Sequence, residues 1–202
     1  MQTKTYSDLY NLVVALSGVG SFTTDEKLNI LQFVNRRAFE AYRQSASWPR
    51  YAVIGEERTI DSNAIVAYQQ AGLSNIADFQ RIYRTKPFLR NSALEYEFYV
   101  DSQGAHVLNI ITTNTTSVFV NYQKELPTFT EASTDIPYEF FFYLAHAAYA
   151  DFLRMDGQHD KAMTEEQVAS TYLALELEKI DMRSNNNTIN KRFSTYVSRQ
   201  SR

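Results

Sequence analysis

The stretch TTDEKLNILQFVNRRAFEAYR, residues 23–43, sets the reading of the rest of the chain. It opens on Thr23 with Glu26 three residues later, the pattern in which a threonine hydroxyl accepts an orphan helix amide and the glutamate reaches back to the cap. From there Ile30, Leu31, Val34, Ala38, Ala41 and Tyr42 recur at helical spacing, while Lys27, Arg36, Arg37 and Arg43 fall mostly off that stripe. Trp48-Pro49 ends the run, because proline disfavours a helical conformation in the residue before it. The spacing therefore predicts a long amphipathic helix with an apolar inner face.

Upstream, Leu9, Leu12, Val13 and Leu16 mark a shorter helix over Tyr6–Leu16, closed by the Gly18-Val19-Gly20 turn. Downstream the pattern changes to strands. Tyr51–Ile54 and Glu57–Ile60 read as a small hairpin around Gly55. Phe79–Tyr83, Glu95–Val100, His106–Ile111 and Val118–Tyr122 are short and rich in β-branched or aromatic residues, with a turn at Asp101–Gly104. Helical signals return after Pro127. Asp135 or Ile136 caps a helix with Pro137 in its first turn and Phe140, Phe141, Leu144, Ala148 and Phe152 on one broad face, ended by Asp156-Gly157. A last helix runs to Met182, with Val168, Tyr172, Leu175 and Lys179 on one side, joined by Ala169, Leu173, Glu176 and Ile180 in a packed mixed stripe. Glu165, Glu166 and Glu178 stay wet. The expected fold is α+β, mainly α: a four-helix bundle from residues 1–50 and 134–183, a β-rich insertion of hairpin and small sheet over 51–133, and an extended basic C-terminal tail over 184–202. That tail holds Lys191, Arg192, Arg199 and Arg202 with no acidic residue.

Composition narrows the chemistry. With 202 residues, 44% hydrophobic and 21% charged, the chain can bury its own core, and no cysteine is present to form disulfides, thiolate metal sites or a thiol nucleophile. A formal charge of −3 gives no global basic field for nucleic acid. No window approaches a membrane span, and the N-terminus lacks a secretory pattern. The 14 Tyr and 13 Phe are spread along the chain, as suits either an aromatic core or half-wet subunit interfaces.

Motifs for catalysis are sparse. His106, His146 and His159 stand in separate elements without metal-ligand spacing, and His146 reads as a packed residue. The adjacent pairs Glu56-Glu57 and Glu165-Glu166 do not by adjacency supply two carboxylates facing one cleft. Phosphate-cradling glycine loops and a nucleophile elbow are missing from the sequence. No cofactor, metal or catalytic residue is expected. Candidate interface residues are Arg36 and Arg37, which either meet an acidic partner or form a solvated helix face beside Glu40; Trp48, which either anchors the junction of helix and insertion or serves as an interface hot spot; and Tyr122.

Three segments in a fixed order are similar to a known family. They are Leu31–Arg43 with Trp48-Pro49; Val118-Phe-Val-Asn-Tyr-Gln-Lys-Glu-Leu-Pro-Thr-Phe-Thr130; and Ile136-Pro-Tyr-Glu-Phe140 leading to Gly157-Gln-His-Asp-Lys-Ala162. Over about Thr23–Arg183 the pattern resembles the head-to-tail adaptors of short-tailed bacteriophages, also called head completion or tail tubular protein A-like connectors. The resemblance implies a structural virion protein at the head–tail interface, assembled in the host cytoplasm, that joins copies of itself into a ring, commonly twelvefold. It implies docking below a portal protein, a platform for a tail tube or nozzle, and transient passage of double-stranded DNA. It further implies that the tail reaches along the portal, which makes Lys191, Arg192, Phe193, Tyr196 and Arg199 portal-binding candidates. The rival readings are a DNA-binding packaging subunit of the small-terminase kind and a virion-associated cell-wall hydrolase. The acidic balance and the β-rich middle speak against the first, and the second requires a buried, pKa-shifted carboxylate in a cleft.

Overall fold

The computed structural model describes residues 2–45, 48–87, 94–110 and 115–200, with side chains as far as 182. The chain is a mixed α+β fold, 44% helical and 24% strand, with its strands in three antiparallel sheets. It divides into two compact units, residues 1–45 with 128–202 and residues 46–127.

The first unit holds β1 (Thr3–Lys4), α1 (Tyr6–Ser17) and α2 (Thr24–Arg43) from the start of the chain. Both helices begin with a full capping box, Thr5 with Asp8 and Thr23 with Glu26, so orphan amides are satisfied locally. α1 stops at Gly18, whose φ of 68° is the left-handed cap that glycine adopts without strain. The helix starting at Thr24 and ending before Trp48 follows the sequence expectation.

The second unit contains β2 (Ala52–Thr59), β3 (Ile65–Ala67), β4 (Ile76–Tyr83), β5 (Glu95–Tyr96), β6 (Phe98–Val100), β7 (Gly104–Val107) and β8 (Ser117–Lys124). One sheet has the order β2-β8-β4-β5 and the other β3-β7-β6. β8 is an inner strand of the larger sheet, between β2 and β4, and its Val118, Val120 and Tyr122 alternate inward as a period of two requires. They share one core with Ile76, Phe79 and Ile82 of β4 and with Val66, Ala105 and Val107 of the smaller sheet. The expected hairpin around Gly55 is instead one continuous strand. Gly55, at φ 65°, sits in a bulge where β2 shifts register against β8, and its amide donates to Asn121 Oδ1 at 2.8 Å. The 101–104 turn does form, with Asp101 Oδ1 accepting from the amides of Gln103 and Gly104. In the following hairpin the strand covers Gly104–Val107 and ends short of Ile110.

The chain re-enters the helical unit at Phe129, where the Asn35 amide of α2 both accepts from Phe129 N (2.7 Å) and donates to its carbonyl (3.0 Å). β9 (Ile136–Pro137) pairs with β1, and then come α3 (Tyr138–Met155) and α4 (His159–Gln200), separated by Gly157 at φ 76°.

A four-helix bundle with a small inserted module is not what forms. α3 is the hub against which α1, α2 and α4 each pack most extensively. α4 has 42 residues against 18 in α3, about 63 Å against about 27 Å, so it outruns any bundle built on α3. The segment expected as an extended tail is the last part of α4, whose helix continues to Gln200. The physical reason lies in spacing: Ile189, Phe193, Tyr196 and Val197 fall at i, i+4, i+7 and i+8, a helical repeat that outweighs the poor propensity of the three asparagines before it. The insertion is a two-sheet unit with its own core.

Candidate functional site

Two helices, α2 and α4, lean on α3 and are held there by one cluster of charges. Arg37 of α2 is only 9% exposed. Its guanidinium forks onto Asp151 of α3 through Nε to Oδ2 (2.8 Å) and Nη2 to Oδ1 (2.7 Å), and Nη1 reaches Glu166 of α4 at 3.0 Å and Glu40 at 3.0 Å. Arg36 adds a contact to Asp151 Oδ2 at 2.5 Å, and Arg154 bridges Asp151 and Glu166. Burial alone would raise the Asp151 carboxyl, but hydrogen bonds and charge from Arg37 and then Arg36 hold it below its ordinary 3.8. Glu166 is likewise kept low against its burial by Arg154 and Arg37, while Asp151's hydrogen bonds push Arg37 up. Asp151, Glu166 and Arg37 are therefore ionised at neutral pH, and the cluster fixes the rotation of α2 and α4 about their own axes relative to α3.

The small side chains of α4, Ala162 and Ala169, are buried with Leu173. α4 packs on an alanine-rich α3, where Ala145, Ala147, Ala148 and Ala150 are all buried, and small residues allow close approach. The larger side chains Val168, Tyr172 and Leu175 stand on the outside instead, contrary to the single packed stripe the spacing had predicted. Tyr172 stacks on Phe142 (5.2 Å between centroids) and on His146 (5.4 Å) of α3, and His146 Nδ1 is 2.7 Å from Glu165 Oε2. These contacts hold the tyrosine ring in place at the surface.

α2 also presents an outer face, formed by Leu28, Arg36, Phe39 and Arg43. Phe39 is 52% exposed, with the Arg43 guanidinium 5.5 Å from its ring centre. An open cleft of about 200 Å³ lies elsewhere in this unit, lined by Tyr6, Ser7, Tyr10, Lys27 and Glu131. The Tyr6 phenol there is pushed up to about 12 by burial and then by Glu131 and Tyr10, so it remains protonated at neutral pH.

The candidate residues fall into three groups. Arg36 stays at the surface with its side chain 55% exposed, although it is paired with Asp151 and Glu40. Arg37, Trp48 at 2% and Tyr122 at 0% are buried within the chain. Tyr122 belongs to the β unit, where fully buried Arg58 lies 4.7 Å over its ring and donates to its hydroxyl (2.6 Å), to Ser74 O (2.5 Å) and to Glu56 (2.7 Å). The portal-binding candidates Lys191, Arg192, Phe193, Tyr196 and Arg199 lie on the helical backbone of α4, beyond the described side chains.

Sequence reading missed Phe39, Tyr172 and Leu175 as surface residues and Asp151 as the partner of Arg37. Phe39 carried a usable signal, an aromatic residue off the apolar stripe of α2. Among the described residues no three His, Cys, Asp or Glu side chains converge as a metal set, and no helix is long and apolar enough to cross a membrane. No protein-family model matches the chain, and no curated protein is significantly similar to it.

Proposed function

We propose that the chain is a head-to-tail adaptor, a structural virion subunit that assembles as a ring between a portal and the tail tube or nozzle and lets DNA pass. The observation that carries the reading is the helical unit, where two helices locked to α3 by a buried charge cluster each turn an apolar and charged face outward. A ring subunit needs two different complementary faces held rigidly, because a repeated heterologous contact closes only if the rotation between copies is fixed. The resemblance carried by Leu31–Arg43 with Trp48-Pro49, by Val118–Thr130 and by Ile136–Phe140 with Gly157–Ala162 supports the same reading. On this reading the protein binds and positions, with no catalytic residue or cofactor, and the long α4 is the element that extends toward the portal.

Particles assembled without this protein test the proposal. They are expected to package DNA but fail to retain it and to lack tails, with both defects restored by adding the purified chain. Tailed, infectious particles formed in its absence would refute the adaptor role.

A further inference from the structure

We propose that the cleft lined by Tyr6, Ser7, Tyr10, Lys27 and Glu131 binds a free α-amino acid as a zwitterion, with its ammonium group against Glu131 and its carboxylate against Lys27. The inference goes beyond the adaptor reading and does not rest on it.

The cleft is built from three pieces of the helical unit, each fixed in place. Tyr6 and Tyr10 are one turn apart on α1, so they share a face, and their rings stack at 6.4 Å between centroids. The Tyr6 amide donates to the Ser133 carbonyl (2.8 Å) and so pins a turn closed by Ser133 N to Thr130 O (3.0 Å) and Thr130 N to Ser133 Oγ (2.9 Å); Glu131 stands on that turn. Lys27 comes from the first turn of α2, behind the Thr23–Glu26 capping box, and its ammonium lies 5.6 Å from the centre of the Tyr10 ring. The cleft's 200 Å³ corresponds to roughly seven liquid-water volumes, which suits an amino acid and is small for a nucleotide.

Two observations say what the cleft takes. The first is a pair of hydroxyls. Tyr6 is only 5% exposed, and its hydroxyl and that of Tyr10 are buried with no hydrogen-bond partner among the described residues, although a buried hydroxyl ordinarily has one. Burial, then Glu131 and Tyr10, push the Tyr6 phenol up to about 12, so it keeps its proton and can donate or accept. The second is a pair of opposite charges that do not neutralise each other. Lys27 and Glu131 line the same cleft, yet neither forms an ion pair among the described residues. Lys27 lies by the Tyr10 ring, whereas Glu131 acts on the Tyr6 phenol, so the cleft has a positive and a negative end. An anion would meet Glu131, a cation would meet Lys27, and an uncharged molecule would leave both unmatched. A zwitterion satisfies both ends, and like-charge contact disfavours its singly charged relatives.

The test titrates the full chain with L-alanine, L-leucine and L-phenylalanine, read by saturation-transfer NMR and by melting temperature. At least one is expected to bind saturably and to raise the melting temperature, as any ligand of the folded state does. Analogues of that amino acid lacking its carboxylate or its ammonium group should bind about tenfold more weakly or worse, the loss that follows from one charged hydrogen bond. K27M should no longer distinguish the amino acid from its carboxylate-free analogue, and E131Q should no longer distinguish it from the ammonium-free one. Y6F separates binding from folding. Its hydroxyl has no partner to lose in the free chain, so the melting temperature without ligand should be unchanged or higher while affinity falls. Failure of all three amino acids to bind, singly charged analogues that bind as well, or folded K27M and E131Q with wild-type affinity and selectivity would each overturn the site. Any of these results leaves the adaptor reading to stand or fall on the particle experiment.

Discussion

At the scale of single residues, Asp151 is where the fold is most exposed to a one-atom change. It receives the fork of Arg37 and contacts from Arg36 and Arg154 while itself only 6% exposed. D151N keeps the shape but takes from the buried Arg37 guanidinium the carboxylate it forks onto, leaving it Glu166 and Glu40, a change whose cost approaches the about 3–5 kcal/mol of a broken buried pair. The expected result is a loss of that size in urea unfolding, against under about 1 kcal/mol for R36A, whose side chain is mostly solvated. The same cluster sets an acid limit. The carboxyls of Asp151 and Glu166 are depressed in the folded state, so their contribution is full above the ordinary carboxylate values of 3.8 and 4.5 and falls away as pH drops through the lower folded values. Melting temperature should therefore decline below about pH 4 in the wild type, and the decline should be shallower in D151N. A parallel acid profile in the two proteins would show that the cluster is not responsible. None of this was legible in the sequence, where Arg37 and Asp151 are 114 positions apart and the Arg36-Arg37 pair reads equally well as a solvated patch.

At the scale of elements, what the sequence revealed depended on how local the cause was. The capping box at Thr23 and the glycine stops at Gly18 and Gly157 involve residues within one turn, and their signals survive into the structure. T23A is expected to cost about 1 kcal/mol through loss of the cap, measurable as a lowered melting temperature with an unchanged helical spectrum. β2 shows the opposite case. Gly55 was read as a turn because nothing nearby indicates that β8, more than 60 residues on, supplies a partner on both sides of it. α4 was misread twice for a related reason. The face of α4 that packs carries the small Ala162 and Ala169 and not the larger Val168, Tyr172 and Leu175, and the asparagine-rich run at 185–187 hid a helical repeat just beyond it. Gly104 offers a sharp test of the smaller sheet. At φ 151° a Cβ there would sit 2.1 Å from the Val66 carbonyl oxygen, so G104A must push β7 away from β3. Strain of this kind costs about 1–3 kcal/mol before the clash is counted. Hydrogen exchange should therefore show lost protection along Ile65–Ala67 and Gly104–Val107, while α1–α3 stay protected as in the wild type.

For the whole molecule, the account joins a helical unit bearing two outward faces to a β unit that folds around its own core. The order of helical and strand segments was readable from periodicity. The hub arrangement around α3 was not, because it depends on how the helices pack and on one charge cluster drawn from three of them. The central claim is that this protein is built to join a portal, and native mass spectrometry of a portal ring mixed with the purified chain tests it most directly. The account predicts a discrete complex with a full ring of copies bound per portal, commonly twelve on the family pattern. A portal that keeps its own mass at saturating concentrations of this chain would contradict it.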